Sequence, residues 1–143
     1  MTNFPSLTSL EELAAAMNTD EERFAKLGVV DCKVGISVTD TGEGFTVEFE
    51  RYGVAQVTEG VGQAEFVLEA DSDVWQAMYH DIVAHGSASR DQTLNYLALP
   101  GIAMTVRSDD QLAEDLFYRY NQTLQSFFDS AGSLSSMVAA QAV

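Results

Sequence analysis

The spacing of apolar residues along this chain switches between helical and strand periods, and each switch marks a new element. Leu10, Leu13, Ala14 and Met17 recur at i, i+3, i+4 and i+7. That spacing predicts a helix over residues 8–18, with Ser9 and Glu12 in the form of a capping box. Asp20 is placed to cap a second short helix carrying Phe24 and Leu27 and stopped at Gly28. From Val30 the period falls to two. Val30, Cys32, Val34, Ile36 and Val38 share one face, while Asp31, Lys33, Ser37 and Thr39 share the other. Residues 41–44 read as a turn, after which Phe45, Val47 and Phe49 alternate with Thr46, Glu48 and Glu50: a hairpin with one wet face. Tyr52-Gly53 turns the chain toward a weaker strand over residues 54–58, and Ala64, Phe66 and Leu68 then alternate with Glu65 and Glu69. Four strands in series with tight connections favour an antiparallel sheet. Ile102, Met104 and Val106 supply a fifth strand, entered through Pro100-Gly101.

Two further segments return to the helical period. Over residues 72–85, Val74, Trp75, Met78, Tyr79 and Ile82 fall on one side; over 109–129, Leu112, Leu116, Phe117, Tyr120, Leu124, Phe127 and Phe128 do so, with Ser108 and Gln111 as a capping box. The expected fold class is α+β: a five-stranded, mostly antiparallel sheet covered on one face by helices and enclosing a hydrophobic cavity. Residues 1–143 read as one domain, with 131–143, small and uncharged, as a candidate loose tail. The aromatic side chains exceed what one sheet face requires. Part of this surface is therefore expected to line a ligand cavity, its wall drawn from Trp75, Met78, Tyr79, Ile82, Tyr96, Met104, Leu116, Tyr120, Leu124 and Phe127.

Charge narrows the partners. Twenty-two acids against seven lysines and arginines leave a net charge of −15. Scattered cations cannot neutralise a phosphate backbone, so nucleic acid and anionic membrane surfaces are excluded as natural partners. With 46% hydrophobic residues and no apolar run near the roughly 18 residues of a spanning helix, the chain reads as globular. The first residues lack a cationic segment followed by an apolar one, and the last, AAQAV, form no organelle address, so a cytoplasmic protein is expected. Cys32 is the single cysteine and falls on the apolar side of a strand, where a thiol packs as a small hydrophobe.

Candidate chemistry is sparse. His80 points away from the apolar face of its helix, but His85 lies one turn after Asp81, which could orient its ring as an acid/base dyad. The other account of His85 is a favourable place at a helix C-terminus before Gly86. The two histidines, five residues apart, sit about 140° apart around a helix and cannot share one ion, so no metal is expected. HGSAS lacks the arrangement of a strained nucleophile turn, and no phosphate-binding glycine loop is present, so no cofactor is expected. Tyr96, Tyr118 and Tyr120 could each point a hydroxyl into a cavity, with Tyr120 best placed. The first functional expectation is a carrier of an apolar or amphipathic small molecule. The alternative is a cofactor-free isomerase, hydratase or lyase using His85 with Asp81, or Tyr120. A homodimer through the aromatic closing helix is a further expectation.

The order of elements and part of the residue text resemble a known family. Phe66, Leu68, Ala70, Asp71, Trp75 and Met78 spell F-x-L-x-A-D-x-x-x-W-x-x-M leading into a helix, and residues 97–104, LALPGIAM, stand where a small strand precedes closing helices. This is similar to the sterol carrier protein type 2 family of lipid-binding domains, over roughly Val29 to Phe128. The resemblance implies a five-stranded sheet covered by helices, with a hydrophobic tunnel for acyl chains or sterols. The chain departs from the family in lacking its G-K-L-x-I-x-G-D segment, replaced by N-Y-L-A-L-P-G, in the longer and more polar loop over residues 86–92, in its long aromatic last helix, and in carrying no peroxisomal C-terminal signal.

Overall fold

The period-two segments pair into one sheet in a computed structural model that describes residues 4–141 apart from 20, 21, 23, 24, 27, 29, 52, 100 and 109, with the backbone alone for 113, 114 and 133–141. The strands are β1 (Cys32–Val38), β2 (Glu43–Glu50), β3 (Gly53–Glu59), β4 (Phe66–Ala70) and β5 (Thr105–Arg107), in the order β3-β2-β1-β4-β5. β1 and β2 form the expected hairpin, with Val34 opposite Val47 and Ile36 opposite Phe45. β3 follows antiparallel, with a register shift between Glu48 and Phe49.

The simple series ends there. β4 does not add beside β3 but returns to β1 and runs parallel to it, Val34 beside Phe66 and Ile36 beside Leu68. The β2–β3 hairpin is the crossover between the two parallel strands. Hydrogen bonds carry the chain back across the outer face. Thr46 Oγ1 donates to the Gly60 carbonyl at 2.6 Å, the Gly60 N–H to the Gly44 carbonyl at 2.7 Å, and the Glu65 N–H to the Lys33 carbonyl at 2.8 Å. Gly35 permits the passage: a Cβ there would stand 2.8 Å from Val67 Cγ2 and 3.0 Å from Ala64 Cβ. Gly35 and Val67 are buried on this outer face, so the two central strands are covered on both sides. β5 is shorter than its alternation suggested. Ile102 turns back instead, its N–H on the Leu99 carbonyl at 3.1 Å, and pairing begins only at Thr105.

Helices cover the other face. Helix α1 (Leu7–Thr19) buries Leu10, Leu13, Ala14 and Met17 as its spacing requires. Its cap lies three residues earlier than the Ser9–Glu12 pair. The Ser9 N–H donates to Ser6 Oγ at 3.1 Å and the Ser6 N–H to Ser9 Oγ at 2.9 Å, two serines completing the reciprocal box. At the other end Asn18 clamps the edge strand, Nδ2 donating to the Val54 carbonyl at 2.9 Å and Oδ1 accepting the Val54 N–H at 2.8 Å. The Asp20 cap and the short helix at Phe24 and Leu27 lie outside the described residues.

Helix α2 (Ser72–His85) begins and ends where the sequence placed it, closed by Gly86 at φ 87° with its N–H on the Ile82 carbonyl. Asp40, from the β1–β2 turn, accepts the Ser72 N–H at 2.9 Å and its hydroxyl at 2.5 Å, and these bonds hold the Asp40 carboxyl below the usual range. Helix α3 is one turn (Leu94–Leu97), and α4 (Gln111–Gln141) continues beyond Asp129 through residues considered for a loose tail. Asp110 rather than Ser108 caps α4, accepting the Leu112 N–H at 3.0 Å. The core joins the inner sheet face to α1, α2 and α4. Phe4, which carried no periodic signal, is 1% exposed at its centre, stacked on Tyr79 at 4.7 Å and edge-on to Phe128 at 6.1 Å.

Candidate ligand-binding groove

A segment with no regular period, residues 86–99, shapes a mostly apolar recess. Three acceptors pin it down. Asp81, on α2, accepts the Ser89 N–H at 2.6 Å through Oδ2 and the Ser89 hydroxyl at 2.9 Å through Oδ1. Asp129, on α4, accepts the Ala88 N–H at 3.0 Å, and Gln125 Oε1 accepts the Leu94 N–H at 2.7 Å. Thr93 caps α3, its side chain accepting the Tyr96 N–H. Leu94 and Leu97 fill the underside and are buried.

Above them lies a groove of about 350 Å³ between this segment and α4, walled by Thr93, Asn95, Tyr96, Ala98 and Leu99 and floored by Phe117 and Tyr118. Arg90 supplies a cation at its edge. Phe117 anchors the floor: it is fully buried and packs edge-on to Phe66 at 6.1 Å and to Tyr118 at 5.2 Å. The exposed large apolar side chains cluster in the same stretch of chain: Tyr96 (38%), Leu99 (50%), Ile102 (47%), Leu112 (75%) and Tyr118 (61%). A second recess of about 380 Å³, at the end of β1 and β2, is bordered by Asp31, Lys33, Glu48, Glu50 and Glu65 beside Cys32 and Phe49, a charged rim that suits an apolar guest poorly.

Of the side chains expected to wall a cavity, Tyr96 reaches this groove, as does Tyr118, whose hydroxyl is also a candidate for one. Trp75, Met78, Ile82, Leu124, Phe127 and Met104 are buried among protein atoms. The Trp75 indole N–H donates to the Ser37 carbonyl at 3.1 Å, so its polar tip needs no ligand partner. Tyr79, Leu116 and Tyr120 are half-buried against the core, and the Arg119 guanidinium lies 5.5 Å from the Tyr120 ring centre. Phe117, read from its helical stripe only as part of an apolar face, completes the groove, as does Leu99, which the sequence does not single out because an irregular loop carries no period to read.

The His85–Asp81 pair exists, Nδ1 to Oδ1 at 3.0 Å, but the imidazole stands in solvent with 63% of its side chain exposed. The bonds from Ser89, its N–H first, pull the Asp81 carboxyl below the usual range, and His85 adds a smaller effect. The Ser89 hydroxyl points at the carboxylate rather than at the imidazole, so the three groups form a loop fastening and no nucleophile–base relay. Burial, with Glu65 and Asp31 nearby, pushes the Cys32 thiol up to about 12 and makes it inert. Among the described residues no group of three or more His, Cys, Asp or Glu is placed to hold a metal ion, and no helix is long and apolar enough to cross a membrane.

The architecture has close counterparts among solved structures. The crystal structure of sterol carrier protein 2 superposes with a TM-score of 0.62 at 16% identity, covering 89% of this chain and 95% of that one. The chain has a sterol-carrier-protein fold. A conserved hypothetical protein of Thermus thermophilus, named as a candidate sterol carrier protein, superposes at 0.60 with 14% identity over 88% of this chain and 87% of its own. No protein-family model matches the sequence, and no curated protein sequence does. At such identities the likeness speaks for the backbone and leaves the site to be argued from its own side chains.

Proposed function

We propose that this protein binds an apolar or amphipathic small molecule, with the groove between residues 90–99 and α4 as its seat. The observation that carries the reading is that Tyr96, Leu99 and Tyr118, three of the exposed large apolar side chains, line one recess that also rests on the buried Phe117 ring. The sterol-carrier fold adds support, since a structure of that fold is named for carrying a sterol. A ligand burying about 200–300 Å² there gains on the order of 5–8 kcal/mol, which before association costs caps the affinity at about 1 μM and puts the smaller burial at roughly 200 μM. The catalytic alternative has no comparable support, because the one dyad is solvent-exposed and its carboxylate is occupied by Ser89.

Titration with the neutral dye Nile red tests the proposal, followed by competition with fatty acids, sterols and aromatics. Saturable micromolar binding that Leu99→Ser and Tyr118→Ser each weaken about tenfold is the expected result. A linear, unsaturable signal from wild type would count against any ligand site.

A further inference from the structure

The charge around the groove runs against that of the chain. Acids outnumber lysines and arginines by 22 to 7, and they border other recesses: Asp31, Glu48, Glu50 and Glu65 one, Glu43 and Glu59 another. No acid is among the side chains that line the groove. Its one charged lining residue is Arg90, near the neutral Thr93 and Asn95. The backbone of Arg90 is held on both sides. Asp81 accepts the N–H and the hydroxyl of Ser89 just before it, and Thr93 Oγ1 donates to the Arg90 carbonyl at 3.0 Å. Among the described residues no carboxylate pairs with the Arg90 guanidinium.

The groove also carries aromatic surface that no protein ring covers. Tyr118 meets the Phe117 ring edge-on and is otherwise open, and Tyr96 packs on no other ring among the described residues. A ligand ring placed against these faces gains attraction beyond the area it buries, which a saturated group of the same size does not.

We infer that the groove takes an aromatic carboxylate, its anionic group on Arg90 and its ring against Tyr96 and Tyr118. The inference rests on the groove being a ligand site. A guanidinium meets a carboxylate with two parallel hydrogen bonds, which a neutral amide or ester cannot reproduce. The overall field of a chain of net charge −15 opposes an anion, so a local cation on a wall free of acids decides where one is held. Arg90 is exposed, which keeps its contribution modest and sensitive to salt.

Displacement of Nile red at low ionic strength by 2-naphthoate, by neutral 2-naphthamide and by the saturated decahydro-2-naphthoate tests this. Arg90→Gln is expected to weaken naphthoate about fivefold and to leave naphthamide within twofold of wild type. Tyr96→Leu is expected to weaken naphthoate about fivefold and to leave its saturated analogue within twofold. Lys33→Gln, at the acidic recess, makes the same change in net charge and should leave all three compounds within twofold. Equal losses of naphthoate and naphthamide in Arg90→Gln, or of naphthoate and its saturated analogue in Tyr96→Leu, overturn the inference while the groove reading stands. So does a Lys33→Gln loss as large as that of Arg90→Gln, or a bound dye that naphthoate does not displace. A wild-type protein with no saturable Nile red binding overturns both.

Discussion

Gly132→Ala isolates the contact that fixes α4 against the groove-forming segment. Helix propensity alone favours alanine by about 1 kcal/mol at a helix-interior position. The structure opposes it: a Cβ at residue 132 would lie 2.6 Å from the Gly86 carbonyl oxygen, 2.7 Å from its Cα and 2.9 Å from its carbonyl carbon. Carbon–carbon contacts prefer about 3.5–4.0 Å, so α4 would have to withdraw by close to 1 Å from a backbone that has no rotamer with which to yield. Withdrawal also stretches the bonds of Asp129 to Ala88 and Gln125 to Leu94, each within two turns of the new methyl. Overpacking of this kind costs about 1–3 kcal/mol. Set against the propensity gain, the net expectation is a loss of roughly 1 kcal/mol, or about 3 °C in Tm for a domain of this size. Thermal unfolding followed by circular dichroism reads the sign directly. A Tm that rises would refute the close packing of Gly132 on Gly86.

Two further outcomes follow from the same geometry. The Asp81 carboxyl is held below its unfolded value, so its stabilisation is complete above about pH 4 and disappears as pH falls through the depressed folded value. Ser89→Ala removes the hydroxyl bond and keeps the N–H one, so its Tm should fall slightly less steeply than wild type on acidification from about pH 5 to about pH 2.5, and parallel curves would show the hydroxyl bond to be unimportant. Phe4→Ala removes a ring buried against Tyr79, Trp75 and Phe128 and should cost about 3–5 kcal/mol in urea denaturation, with a loss under 1 kcal/mol arguing against the burial.

Alternation and helical stripes made much of the fold legible. Val34, Ile36 and Val38 against Lys33 and Ser37 announced β1, and Trp75, Met78 and Ile82 announced the buried face of α2. What the pattern could not carry was pairing order. Alternation in Phe66 and Leu68 is the same whether β4 meets β3 or β1, and the choice is made by Gly35, whose missing side chain lets the return loop cross. Phe4 escaped because a single aromatic before a helix has no period. The proposed site was less legible than the fold. Helical stripes find side chains that pack on one another, as Trp75, Met78 and Leu124 do, and so they point into the core. A groove made by Tyr96, Leu99 and Tyr118 depends on how a loop is tied down by Asp81, Gln125 and Asp129, which no local spacing encodes.

The central claim is that the ligand sits between residues 90–99 and α4, and amide chemical-shift mapping tests it most directly. Adding saturating Nile red to uniformly ¹⁵N-labelled protein should shift the amides of Asn95, Tyr96, Ala98, Leu99, Phe117 and Tyr118. The amides of Glu48, Glu50 and Glu65, beside the acidic recess, should stay in place. Shifts centred on the acidic recess, or none under conditions where the dye binds, would contradict the account.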